Sequence, residues 1–333
     1  MAQPQSPNDH RPRAVLHVGM AKCASTYLQH QAQEAATAGR IAASVWYPWD
    51  TLINQAAEAV GIPVTAFPAA RNPQQDWPAD LPLMATNECL TGTFPEPLRL
   101  TGSRHFTGTH MARLQDQVAR QLKAVAERHL AAYDVRVLLI TRAPEDWLCS
   151  VYKNMVLMGV PDTPDAFLGH FADVFTEWLD IDRLIGLYEA LFSPAAVTVL
   201  PFEMLRDRPA DFAGRINELV GATVVEDRPA RNVGLDDAAT ERVRAAWSVL
   251  DELVPPAPDW SDPAVQYKRS TWRFLHQSVL NVPQRVARAN ARLSGDTAAY
   301  TMPADLVDAM KARMTRLADH PAFTPYRERY ATP

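Results

Sequence analysis

An α/β chain, with a central parallel sheet flanked by helices, is the fold class this sequence predicts, on three observations. Short apolar runs of the kind buried on both faces alternate with longer amphipathic segments, the order that builds a parallel sheet covered by helices. Two of those runs end in small or polar residues that open directly into a helix. With 47% hydrophobic and 21% charged residues, a chain of 333 can bury a large core as one α/β unit.

Residues 1–13 are polar and proline-rich and read as a disordered N-terminus. The run 14–19 (Ala-Val-Leu-His-Val-Gly) is the first strand, and an amphipathic helix follows from Ser25 to Ala38. The segment 45–80, dense in Pro, Trp and small polar residues, reads as irregular with a short helix over 51–60. A second buried strand spans 81–88. A helix over 110–131 has Leu114, Val118, Leu122 and Val125 on one face. Strand 135–141 runs into a helix over 145–158, two further helical segments occupy 164–193, and 195–203 is a fourth strand. A helix over 209–220 and an extended link at 229–235 complete the α/β core, taken as 14–235. Helices at 236–253, 270–293 and 303–318 make 236–333 a helical C-terminal extension packed on that core. No internal repeat is visible.

The chemistry concentrates at the two strand-to-helix turns. The first, Val15-Leu16-His17-Val18-Gly19-Met20-Ala21-Lys22-Cys23-Ala24-Ser25-Thr26-Tyr27, sets one cation and two hydroxyls at a helix start. Unpaired backbone N–H groups and the positive dipole end collect there, which suits a phosphate or sulfate. The segment fails the nucleotide-triphosphatase pattern G-x-x-x-x-G-K-[ST]: counted from Gly19, the second glycine falls on Ala24 and the lysine on Ser25. The lysine present is Lys22, three places early. At the second turn, the strand 135–141 ends at Arg142, and Pro144 and Ser150 follow at two and eight residues.

The stretch Ala21-Lys22-Cys23-Ala24-Ser25-Thr26-Tyr27 resembles the 5′-phosphosulfate loop of the sulfotransferases that use 3′-phosphoadenosine 5′-phosphosulfate (PAPS), whose usual form is P-K-x-G-T-T-W. Arg142, Pro144 and Ser150 match the spacing of that family's 3′-phosphate site. The resemblance covers about 14–235 and implies a P-loop NTPase-like sulfotransferase fold, PAPS as co-substrate and no metal. Cofactor binding would fall to Lys22, Cys23, Ala24, Ser25, Thr26, Tyr27, Arg142 and Ser150, with Lys22 also neutralising the leaving 5′-phosphate. Tyr27 stands where relatives place an aromatic against adenine, and a core role fits it as well. The acceptor must lose a proton. Glu88, in Ala-Thr-Asn-Glu-Cys-Leu at the end of the second strand, resembles the glutamate of an S-S-E-x-L stretch in bacterial and carbohydrate sulfotransferases and is the candidate base. His105 and His110, in the loop after that strand, are rivals, and His17 inside the first strand reads as a core histidine. Two positions depart from the pattern. Ala21 replaces the usual proline and Ala24 the usual glycine, which matters if a positive φ is required at 24.

Two other readings stand beside this one. A degenerate member would bind a nucleotide or partner without catalysis. A metabolite kinase would use the loop for ATP, but the lysine is misplaced for it and a kinase has no use for Arg142 and Ser150. The acceptor class stays open among small-molecule, carbohydrate and lipid hydroxyls or amines. The aromatic stretches 46–49, 67–77 and 267–274 are candidates to line its site. A net charge of −5 argues against nucleic acid or an anionic membrane as partner of the whole molecule. Cys23, Cys89 and Cys149 have neither disulfide-framework nor metal-ligand spacing and point to a reducing, cytoplasmic setting. No targeting segment and no run of about 18 apolar residues is visible. The heavy Ala, Arg and Pro usage suggests a bacterial source, and the sequence leaves a homo-oligomer open.

Overall fold

The computed structural model describes residues 11–45, 47–60, 77, 80–87, 90–91, 107–157, 160, 162–226, 237–253 and 300–331. The sheet is built from β1 (Arg13–Val18), β2 (Ala42–Val45), β3 (Leu83–Asn87), β4 (Asp134–Thr141) and β5 (Val197–Pro201). All its pairings are parallel, in the order β2-β3-β1-β4-β5. The central β1 pairs with β3 through Val18↔Asn87 and with β4 through His17↔Leu138. Its residues 14–18 are all buried, the pattern expected of a strand covered on both faces.

The helices are α1 (Ser25–Thr37), α2 (Tyr47–Ala59), α3 (Gly108–His129), α4 (Pro144–Leu157), α5 (Pro164–His170), α6 (Ala172–Trp178) and α7 (Ile181–Phe192). Then come α8 (Phe202–Asp207), α9 (Pro209–Val220), α10 (Asp237–Leu253), α11 (Ala304–Lys311) and α12 (Arg327–Tyr330), with 3₁₀ turns at Thr315–Leu317 and Pro321–Tyr326 before α12. The punctuation is chemical. The α9 helix starts with Pro209 in its first turn and ends at Gly221, whose φ of 79° lets its N–H reach the Asn217 carbonyl. Under α4 an aromatic cluster forms: Trp147 meets Trp178 and Phe175 edge-to-face, with centroids 5.5 and 5.9 Å away.

The structure departs from the sequence reading in several places, and of the N-terminus read as disordered, 1–10 lie outside the described residues while Arg13 begins β1. The strand β2 is additional, because four small or apolar residues on a sheet edge are too short to show a period. The expected helix at 51–60 runs over 47–59 as α2, starting at the tyrosine that precedes Pro48. The interval 164–193 holds three helices, not two. The strand expected at 195–203 is the fifth and ends at Pro201, where α8 takes over. The helix expected at 303–318 stops at Lys311, and a separate 3₁₀ turn follows at Thr315–Leu317. The link 229–235, the helix 270–293, the stretch 267–274 and all of 67–77 except Trp77 lie outside the described residues. Among the described residues no helix is long and apolar enough to cross a membrane.

Candidate functional site

In an open parallel sheet, ligands bind beyond the carboxyl ends of the strands where the connections diverge. Here that point lies between β1, whose connection leads to β2 at one edge, and β4, whose connection leads to β5 at the other. The loop 19–24 and the corner 142–143 flank it.

The loop is held by its carbonyls, three of them tied to distant parts of the chain and that of Met20 to the loop's own end. The Thr91 hydroxyl donates to the Gly19 carbonyl at 2.8 Å, and the Gly19 N–H donates to the Asn87 carbonyl at 3.1 Å. The Met20 carbonyl accepts from the Cys23 N–H at 3.1 Å and from the Ser25 hydroxyl at 3.3 Å. The Trp147 indole N–H donates to the Ala21 carbonyl at 3.0 Å, and the Arg142 guanidinium to the Lys22 carbonyl at 3.4 Å. With its oxygens turned into the fold, the loop takes positive φ at Lys22 (67°) and Ala24 (65°) and not at Cys23 between them. Such alternation is the kind of backbone from which anion-binding nests are built, although the Cys23 N–H is here taken by the Met20 carbonyl. Ala24 occupies the N-cap of α1 without any side-chain cap bond, so the first N–H groups of that helix have no capping oxygen of their own.

Two cations border this loop. The Lys22 ammonium donates to Asn154 Oδ1 on α4 at 3.0 Å. Ser150 lies one turn before Asn154, half-buried and on the same helix face. The Arg142 guanidinium lies 4.6 Å from the centre of the Phe202 ring, a cation–π contact, and its buried Nε has no hydrogen-bond partner among the described residues. Thr26 is half-buried, and the half-buried Tyr27 packs against the core while its hydroxyl donates to the Glu226 carbonyl at 3.2 Å.

The sulfur chemistry of the loop is quiet. Cys23 is fully buried, and burial pushes its thiol far above the ordinary range, only partly opposed by Arg142. Burial also raises the Cys149 thiol, and Cys89 lies outside the described residues.

Glu88 and His105 also lie outside the described residues. The chain on both sides of Glu88 is nonetheless tied to one loop residue, since Asn87 and Thr91 both bond to Gly19. His110 is not in a loop. Thr107 is the N-cap of α3, and His110 is the third residue of that helix, with its Nδ1 accepting from the Thr107 N–H at 3.3 Å. His17 is fully buried, as a core histidine should be, with Nδ1 2.7 Å from the Thr86 hydroxyl oxygen.

Sequence reasoning passed over Asn154, Trp147, Phe202, Glu203, Thr91 and Gln115. Asn154 alone carried a local signal, its i+4 spacing from Ser150. Gln115 is fully buried and donates to the Thr91 carbonyl at 2.6 Å and the Trp178 carbonyl at 3.1 Å, while Arg183 donates to its oxygen.

No protein-family model matches the chain, and no curated protein does. Among solved structures, a sulfotransferase from Alicyclobacillus acidocaldarius aligns at 13% identity with a TM-score of 0.39, over 72% of this chain and 99% of that one.

Proposed function

We propose that this chain is a sulfotransferase that moves a sulfuryl group from PAPS to a hydroxyl or amine of a small-molecule, carbohydrate or lipid acceptor. The observation that carries the reading is the meeting of two cationic corners at the ends of adjacent parallel strands, with Arg142 donating to the Lys22 carbonyl at 3.4 Å. The residues at both corners are those whose spacing resembles the family's 5′- and 3′-phosphate motifs.

In this reading Lys22 leaves Asn154 to neutralise charge on the bridging oxygen of the departing 5′-phosphate. The N–H groups at the start of α1 and the Thr26 hydroxyl orient that phosphate, joined by Ser25 once its hydroxyl leaves the Met20 carbonyl. Arg142, whose Nε has no other partner among the described residues, holds the 3′-phosphate with Ser150. Glu88 takes the acceptor's proton as the acceptor's oxygen, or its nitrogen where it is an amine, bonds to sulfur in line and the bond from sulfur to the 5′-phosphate oxygen breaks. The products are a sulfate ester, or a sulfamate from an amine, and 3′-phosphoadenosine 5′-phosphate. Cationic side chains do the work that a metal does in phosphoryl transfer.

Calorimetric titration with 3′-phosphoadenosine 5′-phosphate, AMP and ATP on the wild type and on Arg142→Ala tests the reading. Binding that depends on the 3′-phosphate and collapses in Arg142→Ala is expected. Equal affinity for AMP, or no binding of any nucleotide, refutes it.

A further inference from the structure

The corner that bears Arg142 is gripped residue by residue from outside its own strand. β4 and β5 are parallel and in register through Thr141↔Pro201, so the residues just beyond each strand lie side by side. One step beyond, the Phe202 ring lies under the Arg142 guanidinium at 4.6 Å. Two steps beyond, Glu203 Oε1 accepts from the Ala143 N–H at 3.1 Å. The third grip comes from far along the chain: the Tyr330 hydroxyl donates to Glu203 Oε2 and lies 3.3 Å from the Thr141 carbonyl oxygen. Arg142 and Ala143 are thus contacted by Phe202 and Glu203, and Tyr330, which holds Glu203, lies against Thr141.

Glu203 is 0% exposed, and a carboxylate so placed needs hydrogen-bond donors and a counter-charge. Ala143 and Tyr330 supply the donors, and the Arg329 guanidinium stands 3.9 Å away, itself paired with Asp146 on α4. The acid beside this corner is therefore engaged by a backbone N–H and a phenol. Arg142 rests on a ring and donates to the Lys22 carbonyl, and its Nε has no hydrogen-bond partner among the described residues.

We infer that Phe202 and Glu203, the latter held by Tyr330, are positioning residues that aim the Arg142 guanidinium and so set how strongly a 3′-phosphate is preferred. This rests on the role given to Arg142 above.

The test is calorimetric: the dissociation constant of AMP divided by that of 3′-phosphoadenosine 5′-phosphate, in wild type, Tyr330→Phe and Phe202→Leu. Tyr188→Phe, a buried tyrosine of α7 away from this corner, serves as the control for loss of stability alone. Tyr330→Phe keeps the ring that packs edge-on against Phe323, so the fold is retained, and Phe202→Leu asks the same question at the guanidinium itself. The expected result is a ratio reduced roughly three- to tenfold in both variants with AMP affinity unchanged, the scale of a lost cation–π contact in Phe202→Leu and of a lost hydrogen bond to a charged group in Tyr330→Phe. The control keeps the wild-type ratio. A wild-type ratio in both variants, with only the thermal midpoint lowered, overturns the positioning role and leaves the cofactor reading standing. A wild type that does not distinguish the two nucleotides overturns both.

Discussion

His17 sits at the centre of β1 between β3 and β4, fully buried, with Thr86 on Nδ1 and no partner for Nε2 among the described residues. Burial pushes its pKa from the ordinary 6.5 down to about 3, so the folded protein carries a neutral ring where an unfolded chain would be protonated. Between those two values the unfolded state binds the extra proton, so stability rises with pH and falls on acidification. Carrying the linkage from pH 8 to pH 5 gives a loss of about 2 kcal/mol from this one residue. His17→Asn keeps a polar atom near the Thr86 hydroxyl and removes the titration, at the cost of a small cavity. Urea unfolding at both pH values, with m held common, isolates the term: the wild type should lose about 2 kcal/mol more than the variant on going to pH 5. Equal losses in the two proteins, or a His17 ring that titrates near its ordinary value in the folded state, would refute the reasoning.

Ala24 adopts a left-handed φ of 65° that glycine takes without strain and β-branched residues resist. Denaturant unfolding should find Ala24→Gly neutral or up to about 1 kcal/mol more stable, and Ala24→Val less stable by about 2 kcal/mol or more. Gln115→Leu strips the Thr91 and Trp178 carbonyls of a buried donor and Arg183 of an acceptor, so the same measurement should show a loss of about 3 kcal/mol. Lys22→Ala should lower kcat for sulfuryl transfer by about 10²–10³ with the thermal midpoint unchanged, followed by mass spectrometry of the sulfated acceptor; an unaltered rate would remove Lys22 from the chemistry.

The two corners stand out in the sequence because the proposed anion site, at a helix start, would be local. Lys22, Ser25 and Thr26 must follow one strand within a few residues, and Arg142 must end another. Pro209 and Gly221 marked the ends of α9 for the same reason. His110 shows the limit of local reading. The sequence reading sets His110 at the boundary of the loop and a helix expected from 110, and the cap at Thr107, ahead of Gly108 and Thr109, makes it the third residue of that helix. β2 escaped because four residues do not establish a period, and its identity as a strand comes from pairing with β3.

By itself, then, the sequence determined the class of fold and the residue types that close each strand, because alternating apolar runs, caps and turn residues act over one or two turns of chain. The tertiary structure decided what those residues meet. Lys22 reaches Asn154, Ala143 is held by Glu203, and Gly19 by Thr91. These partners are separated by tens to more than a hundred residues and are brought together only by the strand order β2-β3-β1-β4-β5. That order arises from burying the whole set of helix and sheet faces at once, and no local pattern in the chain encodes it.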